Sequence, residues 1–303
     1  MFQGCGTALV TPFRPDQSLD EETLRRLVQR QIEAGIHFLV PCGTTGENPT
    51  LTRPEHLRVV EITLDEAKKK TPVLAGCGGN NTREVVALAR DLEALGADGL
   101  LVVTPFYNKP TPDGLYEHFS AVAQATRLPI VVYNVPGRTG VNVDPATLAR
   151  LATLETVIGV KEASGNISQI AAIFQVVPKD FAVLSGDDAL TVPVLSLGGL
   201  GVISVASNEV PFPMARMTSL GLEGDFPGAV EIHRRLHALM EINFIESNPG
   251  PVKAAMAMMG LLEPVWRLPA TTPRPDSLRK IETVLTDLGL IPHDGTGAGT
   301  PGR

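Results

Sequence analysis

Short runs of apolar, β-branched residues alternate along this chain with longer segments whose apolar residues recur every three or four positions. The first pattern predicts strands and the second amphipathic helices, and their regular alternation predicts repeated βα units around a parallel sheet. Strands are predicted at 7–10, 38–41, 72–76, 99–104, 129–134, 157–161, 181–185 and 201–205. Eight parallel strands with intervening helices predict a TIM-type (β/α)8 barrel, an α/β fold.

Helix starts are marked by Ser18 with Glu21 and by Thr52 with Glu55, both at capping-box spacing. Asp144 ahead of Pro145 gives the same signal. In the first helix Leu24, Leu27, Val28 and Ile32 recur at helical spacing, and Gly35 follows as a stop. Beyond Gly224 strand signals cease, and 229–245, 251–262 and 275–288 predict helices. The expected organisation is a catalytic barrel over 1–224, a small C-terminal helical domain over 225–291, and a glycine-rich tail over 292–303 that cannot bury enough apolar area to order.

Composition narrows the function classes. The 303 residues are 43% hydrophobic, enough for a large core. A formal charge of -7, with Lys and Arg scattered, offers no basic stripe for phosphates and excludes nucleic acid as the expected partner. Cys5, Cys42 and Cys77 sit in or beside apolar runs without metal-ligand spacing, which predicts buried free thiols in a reducing compartment. No stretch approaches the roughly 20 apolar residues that span a bilayer, so a soluble, cytoplasmic protein is expected. His233 and His237 form an i, i+4 pair without the glutamate of a zinc motif, and neither a nucleophile elbow nor a dinucleotide fingerprint is present. No metal and no cofactor is expected.

In such a barrel, reactive groups gather at the C-terminal strand ends. The sixth strand runs into Val160-Lys161-Glu162, a lysine in line with an apolar strand. Pointing inward, Lys161 would lose its water, which favours the neutral amine that attack on a ketone requires; the alternative is a rim ion pair with Glu162. Tyr133, closing the fifth strand, can relay protons because its hydroxyl both donates and accepts, or it can be simple packing. Arg138 stands on a Pro/Gly loop, suited to bidentate grip of a carboxylate or merely solvated.

Other strand ends carry weaker signals. Gly43-Thr44-Thr45-Gly46-Glu47-Asn48 presents two hydroxyls and flexible backbone donors, fit for a carboxylate or for a plain turn. Phe106 and Tyr107 are adjacent aromatics in a chain only 5% aromatic, so Tyr107 is a candidate for the proton relay or for an interface. Asp187 and Asp188 could serve as acid and base, but a helix cap is the better expectation for one of them.

Four segments, Gly43-Thr44-Thr45-Gly46-Glu47, Tyr133-Asn134-Val135-Pro136-Gly137-Arg138-Thr139-Gly140, Gly159-Val160-Lys161-Glu162-Ala163 and Asn248-Pro249-Gly250-Pro251-Val252-Lys253, resemble the dihydrodipicolinate synthase family. That family lies within the superfamily it shares with N-acetylneuraminate lyase, and the likeness runs from Gly4 to Leu290. It implies that Lys161 forms a Schiff base with pyruvate, with Tyr133, Thr45 and Tyr107 as proton relay. It places Thr44 and Thr45 at pyruvate's carboxylate, Arg138 at the carboxylate of aspartate semialdehyde, and Gly186 and Ile203 at backbone contacts near the bound keto acid.

The tyrosine matching Tyr107 reaches a neighbouring subunit's site in the family, which implies a homotetramer built as a dimer of dimers. Arg138 is the feature that separates the synthases from lyases acting on sugar acids. Retro-aldol cleavage of a 2-keto sugar acid is the alternative reaction, and a catalytically silent ligand-binding barrel is the remote one. His56, Asn80 and Glu84 match positions that bind inhibitory lysine in sensitive relatives. Arg53, Phe106 and Pro49 depart from that pattern, so weak or absent lysine inhibition is expected.

Overall fold

Every predicted apolar run becomes a strand in the computed structural model, which describes residues 2–292. The strands are β1 Gly4–Ala8, β2 Phe38–Val40, β3 Leu74–Gly76, β4 Gly99–Val103, β5 Ile130–Asn134, β6 Val157–Glu162, β7 Ala182–Ser185 and β8 Gly201–Ser204. All pair in parallel, in the order β2-β1-β8-β7-β6-β5-β4-β3. A parallel bridge between Leu39 and Val73, with Gly76 N donating to Pro41 O at 2.9 Å, joins the two ends and closes the barrel. The (β/α)8 expectation holds.

Strand alternation divides the core into two layers. Phe38, Val40, Leu74, Leu101, Val131, Tyr133, Leu184 and Ile203 fill the barrel interior. Their neighbours Leu39, Leu100, Val102, Val132, Val160 and Val183 face outward onto the helices. Lys161 pairs in register with Tyr133 on one side and Leu184 on the other, so it shares the interior parity.

Two local expectations are corrected. β1 begins three residues before the predicted start because Gly4 and Gly6 conceal it; a Cβ at Gly6 would lie 2.1 Å from the Phe38 ring, so the strand needs glycine for close packing. The first helix, Glu21–Glu33, is capped by Asp20, whose side chain accepts from Thr23 N, and not by Ser18. Ser18 instead donates its N–H and hydroxyl to Asp16, closing the preceding turn. The Thr52–Glu55 capping box and the Asp144 cap form as expected.

After the last barrel helix, Pro211–Leu222, come helices Phe226–Ile242, Gly250–Met258 and Pro275–Asp287. Residues 293–303 of the expected tail lie outside the described residues. Cys5, Cys42 and Cys77 are free and buried. Among the described residues no helix is long and apolar enough to cross a membrane, and no cluster of three or more His, Cys, Asp or Glu side chains could hold a metal.

Candidate active site

The C-terminal mouth of the barrel brings the strand-end residues together. Lys161 is only 6% exposed, and its Nζ lies 4.1 Å from the centroid of the Tyr133 ring. The alternative partner, Glu162, projects from the opposite face of β6, as strand alternation requires. There its carboxylate accepts from Asn134 Nδ2 at 2.8 Å and from Ser164 N at 2.7 Å. No carboxylate among the described residues forms a salt bridge with Lys161.

Gly186, at the end of β7, abuts the lysine stem. A Cβ there would lie 3.1 Å from Lys161 Cε and 2.6 Å from the Ala163 Cβ, so a side chain at this position would displace the amine. Ile203 is buried in the same interior layer as Tyr133. Above them opens a cavity of about 410 Å³, whose lining includes Gly43, Thr44, Phe106, Tyr133, Val135 and Arg138. Tyr133, Thr44 and Arg138 therefore face one space.

Thr45 turns away from solvent, its Oγ1 accepting from Asn248 Nδ2 at 3.0 Å. Arg138, on the short helical turn Pro136–Thr139, is exposed and donates from Nη2 to Asn248 O at 3.4 Å. Asn248 thus touches both the threonine loop and the arginine. Tyr107 stands apart, 88% exposed with a left-handed φ of 72° that presents the ring outward. Asp187 caps the short helix after β7, and Asp188 accepts from Val205 N and Ala206 N, tying that helix to the end of β8.

Of the three expected effector residues, Asn80 and Glu84 are exposed whereas His56 is buried. The His56 ring is paired to Asn48 Oδ1 at 2.7 Å through Nδ1, and burial pulls its pKa down to about 4. Arg53 is held by Asp91 at 2.7 Å.

Three residues of the matched motifs carried no assigned role and prove to border the site: Glu47, Asn248 and Lys253. The signal for Lys253 is a charge inside the apolar run Pro251-Val252-Lys253-Ala254-Ala255-Met256, all of it buried. A lysine in such a setting implies a buried partner.

A family model described as the dihydrodipicolinate synthetase family matches residues 1–288. The 4-hydroxy-tetrahydrodipicolinate synthase of Koribacter versatilis is 50% identical over 291 residues, covering 96% of this chain and 97% of that protein. The dihydrodipicolinate synthase of Thermotoga maritima superposes with a TM-score of 0.94 at 45% identity, covering 96% of this chain and 100% of that one. The dihydrodipicolinate synthase of Acinetobacter baumannii, solved in complex with pyruvate, gives a TM-score of 0.94 at 40% identity, with 96% and 100% covered. A match of this extent in sequence and fold shows that the chain belongs to the dihydrodipicolinate synthase family.

Proposed function

We propose that this chain condenses pyruvate with L-aspartate 4-semialdehyde to 4-hydroxy-tetrahydrodipicolinate through a Schiff base on Lys161. The observation that carries the proposal is the environment of Lys161: buried in the barrel mouth, beside a tyrosine, with no carboxylate among the described residues to hold it as an ion pair. The relative from Acinetobacter baumannii that was solved with pyruvate supports the choice of keto acid.

The neutral amine of Lys161 adds to the ketone of pyruvate, and the carbinolamine loses water to leave an iminium. Loss of a methyl proton gives an enamine, whose carbon attacks the aldehyde of the semialdehyde. The amine of that second substrate then displaces Lys161 and closes the ring, which frees the lysine. Only protons and one water molecule move on and off, so the cycle calls for no redox group. Tyr133, Thr45 and Tyr107 are assigned to the proton relay. Thr44 and Thr45 are assigned to the carboxylate of pyruvate, Arg138 to that of the semialdehyde, and Gly186 and Ile203 to the wall beside the bound keto acid.

The outward display of Tyr107 supports a subunit contact that completes a neighbour's relay, and we assign a homotetramer of paired dimers. We read 1–224 as the catalytic barrel and 225–291 as its helical appendage. Buried thiols support a reducing, cytoplasmic setting. The engagement of His56 by Asn48 supports weak or absent lysine inhibition.

Borohydride reduction in the presence of pyruvate tests the proposal. One pyruvyl group is expected on Lys161 by peptide mass mapping, together with turnover of pyruvate plus semialdehyde and none of 2-keto sugar acids. Modification elsewhere, or cleavage of sugar acids in its place, overturns it.

A further inference from the structure

A second lysine is buried near the mouth, and it does not face the cavity. Lys253, on helix Gly250–Met258, is fully buried, with its Nζ 2.5 Å from Glu47 Oε1 and 3.1 Å from Thr11 O. The same Nζ lies 4.5 Å from the centroid of the Phe13 ring. Glu47 is also buried, and its second oxygen accepts from Arg267 N at 3.2 Å. Arg267 stacks on Phe13 and donates to Glu55 and to the carbonyls of Gln17 and Thr50.

Glu47 closes the loop that holds Thr44 and Thr45. Its N–H donates to Thr44 O at 3.1 Å, and Gly46 N donates to Gly43 O at 3.1 Å. Its φ is 53°, a left-handed conformation that a residue with a Cβ keeps only when its surroundings enforce it. Thr11 Oγ1 on Gly46 O at 2.7 Å and Thr50 Oγ1 on Glu47 O at 2.9 Å hold the loop backbone, and the side chains are held from the C-terminal segment: Lys253 and Arg267 on the Glu47 carboxylate, and Asn248 on the Thr45 hydroxyl.

We propose that Lys253 is the positioning residue for the keto-acid seat, holding Glu47 and thereby the Thr44 and Thr45 hydroxyls in register with Lys161. The inference rests on the reading of that loop as the pyruvate carboxylate site. Without the ammonium, the Glu47 carboxylate keeps a single backbone donor in a buried place. It must take a proton or turn toward water, and either change releases the left-handed turn. The threonine hydroxyls then lose their fixed geometry, and the loss falls on pyruvate.

The test measures the pyruvate concentration that half-saturates borohydride trapping at Lys161, in the full chain, alongside steady-state kinetics and thermal melts. Lys253→Met is expected to raise that concentration about tenfold or more, because the binding groups are no longer pre-ordered. The KM for semialdehyde should stay within about threefold, since the Arg138 side chain is not held by the pair. Glu47→Gln keeps the shape and one of two acceptors, and is expected to give a smaller rise of about threefold. It also serves if Lys253→Met does not fold. Half-saturation unchanged in a variant whose Tm has dropped overturns the proposal and leaves the pair a structural one. A wild-type chain that traps no pyruvate at Lys161 overturns the keto-acid reading itself.

Discussion

Two lysines of this chain are buried within reach of the same barrel mouth, and their surroundings differ. Lys161 projects into the barrel interior over the Tyr133 ring with no acidic partner among the described residues, whereas Lys253 sits against Glu47 at 2.5 Å and over the Phe13 ring. At Lys253, burial pulls the ammonium below its ordinary value while the Glu47 charge pulls it back up. Exposure, 6% against 0%, barely separates the two. What sorts them is the partner. An ion pair occupies the lone pair with a proton and the amine with a fixed direction, so in our proposal the paired lysine orders a loop and the unpaired one reacts.

Replacing each lysine by methionine, close in length and apolar, is the sharpest way to break the comparison. Lys161→Met should abolish pyruvyl trapping and lower kcat/KM by at least about 10³-fold, as loss of a covalent nucleophile does. Its Tm should hold or rise, since an unpaired buried polar group is replaced by an apolar one. Lys253→Met should retain trapping at high pyruvate while losing about 3–5 kcal/mol of stability, the effect of stranding one member of a buried pair. Calorimetry and mass mapping on both variants check this crossing. Equal losses of stability in the two would show that the distinction between paired and unpaired is not what governs them.

Tyr133→Phe asks whether the aromatic face or the hydroxyl serves Lys161. The ring packing survives, so the Tm should move little, while the rate of trapping falls about 10²-fold if the hydroxyl carries protons to and from the carbinolamine. An unchanged trapping rate would reduce Tyr133 to a packing residue. Arg138→Ala is expected to act on the second substrate, raising the KM for semialdehyde about 10- to 30-fold with the pyruvate half-saturation nearly constant. A rise confined to pyruvate would place the arginine at the wrong carboxylate.

The fold was legible to the extent that hydrophobic runs could carry it. Eight strands and the helices between them follow from period and β-branching, but β1 lost its first residues to Gly4 and Gly6, whose value is the space they leave for Phe38 and not any apolar signal. Lys161 and Tyr133 were visible as strand-end residues, yet that they face each other depends on the β5–β6 register, which contains an irregularity at Ile130 and cannot be counted along either strand. The Glu47–Lys253 pair joins residues 206 apart, and Asn248 reaches Arg138 across 110. Such contacts exist only after helix Gly250–Met258 has docked on the barrel, so no local pattern announces them. The pairing of the buried His56 ring with Asn48 Oδ1, at 2.7 Å, is likewise a side-chain contact that the sequence pattern does not announce.

A buried glutamate without a lysine completes the comparison. Glu209 is as enclosed as Glu47, yet its carboxyl accepts from Asn243 Nδ2 at 2.6 Å and forms no salt bridge among the described residues. Arg30, the nearest guanidinium, donates instead to the backbone carbonyls of Asn208 and Glu209. Burial therefore pushes the Glu209 carboxyl well above the usual carboxylate range; the Asn243 bond and the Arg30 charge oppose the rise, and Asp188 adds to it. The folded chain then binds a proton that the unfolded chain has already released. Stability from this group is complete below the ordinary carboxylate value and is lost as pH rises toward the folded one. Glu209→Gln keeps an acceptor for Asn243 and removes the titration, so the variant's Tm should exceed the parent's by at least about 2 °C at pH 8, the scale of one kcal/mol in a large domain. At pH 5 the gain should be smaller. His56 and His118, whose burial holds both near 4, lose stability in the opposite direction, as pH falls, and they do so in parent and variant alike. The difference between the two melting curves thus isolates Glu209. A gain that is the same at both pH values would mean that this carboxyl ionises as freely folded as unfolded, and that enclosure without a partner is not what sets it apart from Glu47.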